Sequence, residues 1–242
     1  MDSLLSIKNL SVSVEQTRVI TNLTLEIYFG CVHALMGANG SGKSSLASVL
    51  MGHPSYAIES GSIYFNNKDI THQSPDKRAR LGLFLAAQNP CVIPGVSVIS
   101  LLTEAYRAVH GTDVSTQELH KKIIESLEQV GLDASYAQRM VHEGFSGGEK
   151  KRLEIVQLLV LQPRLAILDE IDSGLDIEGR AHIAQLLNTL KKERPHLTLL
   201  VITHYQELLD QLKPDYLHNM VQGKIVPSHT APESRGSYEI GI

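Results

Sequence analysis

Several large functional classes are closed to this sequence by what it lacks. It has two cysteines, Cys31 and Cys91, far apart and outside any C-x-x-C pattern. Neither a zinc site nor an iron–sulfur site can be built from thiols so few and so distant. Two buried or half-buried thiols in a reducing compartment are expected instead. There is no Lys/Arg-rich run, since the KKR at 150–152 is too short to count, and the formal net charge is -4. A nucleic-acid partner is therefore not expected. No apolar stretch approaches the roughly 18 residues of a membrane span, so no direct membrane insertion is expected. The opening MDSLLSIKNLSVSVE has neither the charged n-region nor the long apolar h-region of a signal peptide, and a cytoplasmic location is expected. There is no G-x-G-x-x-G, which argues against a dinucleotide. No internal repeat is visible, and no aromatic residue occurs between Met1 and Glu26.

What is present is ordinary globular composition: 242 residues, 43% hydrophobic and 20% charged, enough for one large domain or two closely joined ones. Residues 4–14 and 23–36 alternate or run apolar in short pieces and predict strands with a turn at Phe29 and Gly30. Further strands are expected at 62–65, 82–86, 165–169 and 197–203, with pieces near 216–226. Helical spacing appears at 43–52, 99–110, 116–130, 147–162, 176–193 and 205–212. Strands alternating with helices predict a mostly parallel α/β sheet. The start predicts an attached antiparallel β layer, and 98–142 a helical insertion. The last stretch, PSHTAPESRGSYEIGI (227–242), is polar with Pro and Gly and predicts a loose tail.

Residues 37–45 read GANGSGKSS, which fits G-x-x-x-x-G-K-[ST] between a predicted strand and a predicted helix. Gly37, Ala38, Asn39, Gly40, Ser41 and Gly42 would wrap backbone N–H groups around phosphates. Lys43 would supply positive charge, the Ser44 hydroxyl would bind Mg²⁺, and Ser45 would contact a phosphate further back. A Gly-rich helix cap is the plainer reading, and the strand–loop–helix context favours nucleotide. Residues 165–170, LAILDE, read as a buried parallel strand opening on the site. Asp169 would then sit in the Mg²⁺ shell, and Glu170 would be general base on the attacking water. Gln88 and His204 each follow an apolar strand. Either alone is most often a turn residue, yet both fall on the expected active edge of the sheet. His204 could bond a γ-phosphate, and Gln88 could sense metal and water.

The stretch FSGGEKKRLEIVQLLV (145–160) puts two glycines at the mouth of an apolar helix, where each costs roughly 1 kcal/mol relative to alanine. Ser146 and Glu149 have the spacing of a capping box, which explains those two residues but not Gly147 and Gly148. A sharper reading is that the glycines bare backbone N–H groups at a helix N-terminus to an anion.

Taken in order, the P-loop, the Gln after a strand, the helical insertion, S-G-G-E, LAILDE, S-G-L-D (173–176) and the strand-terminal His resemble the ABC-type ATPases across nearly the whole chain. The resemblance implies a P-loop NTPase head spanning 1–226, with a helical subdomain at about 89–145. It implies ATP and Mg²⁺ as ligands, with Ser44, Gln88 and Asp169 toward the metal and Lys43, Gln88, Glu170 and His204 as the catalytic set. It further implies that two heads pack head to tail. Ser146, Gly147, Gly148 and Glu149 would then serve the ATP of a second head, with Ser173 and Asp176 in the D-loop. GFSGGEKKRLEI, LDEIDSGLDI, VITHYQELLDQLKPDYLH and NPCVIPGVS resemble the SufC subfamily more than transporter heads. That narrower likeness implies SufB-like and SufD-like soluble partners in iron–sulfur cluster assembly. The alternatives are the ATP-binding head of an ABC transporter and a nucleotide-gated binding module without hydrolysis. With no aromatic residue ahead of the P-loop to stack on adenine, Arg18 or Val19 is expected at the base.

Overall fold

The period-2 alternation of the first residues folds into an antiparallel pair, β1 (Ser3–Val14) and β2 (Thr17–Tyr28). The computed structural model describes residues 2–226, so the expected tail at 227–242 lies outside the described residues. The free edge of β1 pairs with β4 (Tyr56–Phe65), which carries the two-residue β5 (Lys68–Asp69). The strand expected at 62–65 is thus the second half of a longer one. Its first half carries only Tyr56 and Ile58 toward the core, both half-buried, before the polar stretch at 59–62 interrupts the alternation.

The second sheet has the order β12-β11-β3-β10-β9-β6. It comprises β3 (Val32–Met36), β6 (Leu83–Ala86), β9 (Leu165–Asp169), β10 (Thr198–Ile202), β11 (Tyr216–Val221) and β12 (Lys224–Val226). All neighbours are parallel except β11 and β12. Every residue of β9 and β10 is buried, which is why both read as continuous apolar runs. Along β10, Leu199 and Val201 enter one apolar core, and Leu200 and Ile202 enter the other. The first core holds the helical side. The second lies between this sheet, α1 (Lys43–Leu50) and the antiparallel layer.

The insertion contains α3 (Val98–His110) and α4 (Thr116–Gln129), with a short antiparallel pair of β7 (Ile93–Ser97) and β8 (Met140–Val141). Then follow α5 (Gly147–Leu161), α6 (Ile177–Glu193) and α7 (Gln206–Leu212). No helix among the described residues is long and apolar enough to cross a membrane. One helix is absent from the sequence reading: α2 (Pro75–Leu81), whose seven residues are too few to show a period. Its signals are terminal, with Pro75 opening the first turn and Gly82 closing the last at φ +102°. Within α2 the fully buried Arg78 donates to the carbonyls of Val49, Leu50, Thr71 and Gln73, tying α2 to the end of α1. Of the thiols, Cys31 is half-buried as expected, while Cys91 is exposed on the loop after β6, correcting that expectation.

Beside the sheet, His33 and His218 stack with 4° between ring planes. The Tyr28 amide donates to His33 Nε2 at 2.9 Å, so His33 carries its proton on Nδ1 and donates it to His218 Nε2 at 2.9 Å. Burial, reinforced by the His218 imidazole, pulls His33 down to about 3, and burial pulls His218 to about 4. Both values lie below that of an unfolded histidine, so the unfolded chain binds more protons between about pH 6.5 and 4. Stability is therefore full above that window and lost as pH falls through it. Going from pH 7 to pH 5 is expected to cost about 2 kcal/mol through His33. Urea unfolding at the two pH values checks this. A His33→Asn/His218→Asn chain that keeps the full wild-type pH dependence would exclude the pair as its source.

Candidate functional site

Four strands bring their carboxyl ends to one edge of the core sheet. Beyond β3 the chain turns through 37–42 into α1, beyond β6 it reaches Gln88, beyond β9 Glu170, and beyond β10 His204. The turn needs glycine at position 37: φ is +147°, and an added Cβ would lie 2.2 Å from the Met220 carbonyl oxygen. These ends line a cavity of about 680 Å³ together with Asn39, Gly40, Gly42, Lys43, Ser44 and Ser45. A polar cavity of this size at the carboxyl edge of a parallel sheet is where such folds bind ligands.

Lys43 is buried and folds back, its Nζ donating to the Gly37 carbonyl at 2.7 Å and the Ala38 carbonyl at 3.0 Å. Burial lowers its pKa, opposed by the charges of Glu170 and Asp169. Asp169 closes β9 and is buried, which raises its carboxyl pKa, opposed by a hydrogen bond from Ser44. Its Oδ1 has no protein partner. A buried carboxylate oxygen without a donor, beside a serine hydroxyl, suits a hard divalent cation with oxygen ligands, so these residues fit Mg²⁺.

Glu170 takes a left-handed backbone at φ 49°, uncommon for a non-glycine residue, and its amide donates to the Ile202 carbonyl at 2.9 Å. Its carboxylate is held from both sides, accepting from Gln88 Nε2 at 2.5 Å and from His204 Nε2 at 2.6 Å. The structure thus gathers three residues that are 82 and 34 positions apart into one cluster facing the phosphate loop. Arg18 and Val19 line the cavity, and no aromatic ring except the His204 imidazole does. Arg18 also pairs with Glu59, while Val19 is half-buried against the second core.

Ser146 and its neighbours do not line this cavity. They open α5 with the expected capping box: the Glu149 amide donates to Ser146 Oγ at 3.3 Å, and the Ser146 amide donates to Glu149 at 2.7 Å. Glu149 also accepts from Tyr136 at 2.5 Å. The two glycines differ. A Cβ on Gly147 would meet nothing within 4 Å, whereas one on Gly148 would lie 3.2 Å from the Leu175 side chain. Gly148 thus has a packing reason inside the chain, and Gly147 has none. Ser173 Oγ donates to the Glu170 carbonyl at 2.8 Å, and the Asp176 carboxylate caps α6 through the Gly179 amide at 2.8 Å.

Some buried polar residues next to the site residues escaped the sequence reading. Lys151 is buried on α5, and its Nζ donates to the Gln88 carbonyl at 2.5 Å. His142 and Glu154 form a buried pair at 3.2 Å behind the α5 N-terminus. Asp172 is fully buried against the Thr203 hydroxyl, and burial raises its pKa. Charged residues on an otherwise apolar helix were the available signal for Lys151 and Glu154.

A family profile for ABC transporters matches residues 20–173. A "Probable ATP-dependent transporter ycf16" from Antithamnion sp. is 47% identical over 228 residues, covering 92% of this chain and 90% of that protein. "Vegetative protein 296" of Bacillus subtilis is 44% identical over 228 residues, covering 93% and 87%. Among solved structures, a nucleotide-free ATP-binding cassette from an ABC transporter superposes with a TM-score of 0.78 at 24% identity, covering 96% and 93% of the two chains. A dimeric ATP-binding cassette bound to ADP and Pi superposes with a TM-score of 0.81 at 20% identity, covering 93% and 98%.

Proposed function

The chain belongs to the ABC transporter family of ATP-hydrolysing heads, and on that premise we propose that it is a SufC-like ATPase subunit driving conformational change in an iron–sulfur cluster assembly scaffold. The observation that carries the ATPase chemistry is Glu170, held between Gln88 and His204 at the mouth of the phosphate loop. In this reading the amides of 37–42 and the Lys43 ammonium hold the β- and γ-phosphates, with Lys43 exchanging its two carbonyl contacts for phosphate oxygens. Glu170 takes the proton of the attacking water. His204 supports the γ-phosphate, and Gln88 reports its presence by releasing Glu170. Asp169 and Ser44 would hold Mg²⁺, which when bound neutralises developing phosphate charge.

Each site is composite. Ser146, Gly147, Gly148 and Glu149 complete the pocket of a second head, and Ser173 and Asp176 lie in the segment that faces it. The narrower assignment rests on GFSGGEKKRLEI and LDEIDSGLDI, whose Phe145 and Glu149 follow the SufC habit. A transporter head is the second reading, favoured by the printed name of the ycf16 relative. Affinity purification with this chain as bait separates them. Soluble SufB-like and SufD-like subunits are expected to co-purify; recovery of a polytopic membrane protein instead would overturn the scaffold assignment.

A further inference from the structure

A second cavity, of about 460 Å³, opens at the far end of the core sheet, beside Gly82 and Arg164, which precede β6 and β9. Its charged lining is entirely basic or imidazole: Lys68, Arg80, His110 and Arg164, with no aspartate or glutamate. That is unusual on a chain whose formal net charge is -4. Helix C-termini attract cations, and this accounts for Arg80 and His110, which lie in the last turns of α2 and α3. Arg80 is further matched by Asp76 at 3.0 Å.

Helix ends do not account for the other two. Lys68 sits on β5, and Arg164 lies in the link between α5 and β9. Neither side chain has a hydrogen-bond or ion-pair partner among the described residues. The contrast with the other described arginines is sharp: Arg18, Arg80, Arg107 and Arg180 pair with carboxylates, and Arg78, Arg139, Arg152 and Arg194 donate to carbonyls. The Arg164 stem is nonetheless held, because Gly82 lets it lie close: an added Cβ there would be 3.0 Å from Arg164 Cγ. Behind the wall, the Gln162 side-chain oxygen, oriented to satisfy its neighbours, accepts from Lys122 at 3.1 Å and Arg194 at 2.8 Å. Burial, reinforced by the Arg194 charge, pulls Lys122 down to about 8. Two cations from separate elements, Lys68 and Arg164, that converge on a concave surface without counter-charges of their own make an anion site, with Arg80 alongside.

We propose that this cleft binds a small polyanion, a molecule carrying two or more phosphate or carboxylate groups, held by Lys68, Arg80 and Arg164. The volume suits a metabolite-sized ligand, and the site is independent of the ATP reading. The test is calorimetry on the full chain with saturating ADP, so that the phosphate loop is filled, using tripolyphosphate and citrate as separate probes. Saturable one-to-one binding of at least one probe is expected, weakened about tenfold or more in Arg164→Glu and in Lys68→Glu. ADP affinity in both variants should stay within about twofold of wild type, since neither residue touches the ATP cavity. Which probe binds tells phosphate from carboxylate ligands. Binding of neither probe, equal binding in Arg164→Glu, or binding abolished only by Lys43→Ala would overturn the proposal.

Discussion

ATP turnover by the assembled complex is expected to fall about 10³-fold in Glu170→Gln, with ATP retained and two heads held closed. The carboxylate accepts from two donors, Gln88 and His204, and those contacts fix its position at the cavity mouth. The amide of glutamine is nearly the same size but cannot take a proton from water. Phosphate binding by the loop amides and Lys43 is untouched by the exchange, so nucleotide should accumulate where hydrolysis fails. Steady-state phosphate release, measured with partners present, and light scattering after ATP addition read the two halves of the expectation. Equal turnover in the two proteins would remove Glu170 from the role of base. No turnover in either protein would favour the nucleotide-gated binding module. A silent isolated chain would not, because a composite site needs a second head.

The second large effect is expected from Gly147→Asp. An added Cβ there meets nothing within 4 Å, and a carboxylate in the first turn of a helix suits the helix dipole. The chain should therefore fold and bind ATP normally, with a melting temperature within about 2 °C of wild type. If the α5 N-terminus awaits the γ-phosphate of a neighbouring head, the same carboxylate places negative charge against phosphate. Turnover should then drop by about 10²-fold or more. Complementation distinguishes this from a local defect. Lys43→Ala and Gly147→Asp heads, each inactive alone, together form a heterodimer with one intact site, so mixing them should restore turnover. No recovery on mixing, with both chains folded, would show that the signature does not act in trans.

The parts of this arrangement that were legible in sequence are those that need fixed residue types at fixed short spacing. The phosphate loop needs glycines and a lysine within nine residues. The strand of Asp169 needs four apolar residues and then acids. The capping box needs Ser146 and Glu149 three apart. The parallel sheet was legible because β9 and β10 are buried on both faces and so cannot alternate. What stayed hidden has no local spacing. Arg78 reaches carbonyls nearly thirty residues away, and its helix is too short to carry a period. The His33–His218 stack joins strands 185 positions apart, and each histidine alone looks like any other. The split between Gly147 and Gly148 depends on where Leu175 falls, which no pattern within 145–160 could announce.

The bond from Lys151 to the Gln88 carbonyl has a mechanical consequence. Lys151 sits one turn into α5, whose first residues would, on the proposed reading, face the phosphate of a neighbour, and Gln88 holds Glu170 of this chain's own cavity. A backbone shift at 87–88 loads the Lys151 contact and through it bears on α5. On the proposed reading, occupancy of one pocket and the pose of the surface presented to the other would meet at this contact. In a pair of heads packed head to tail, two such linkages would couple the resetting of one pocket to that of its twin.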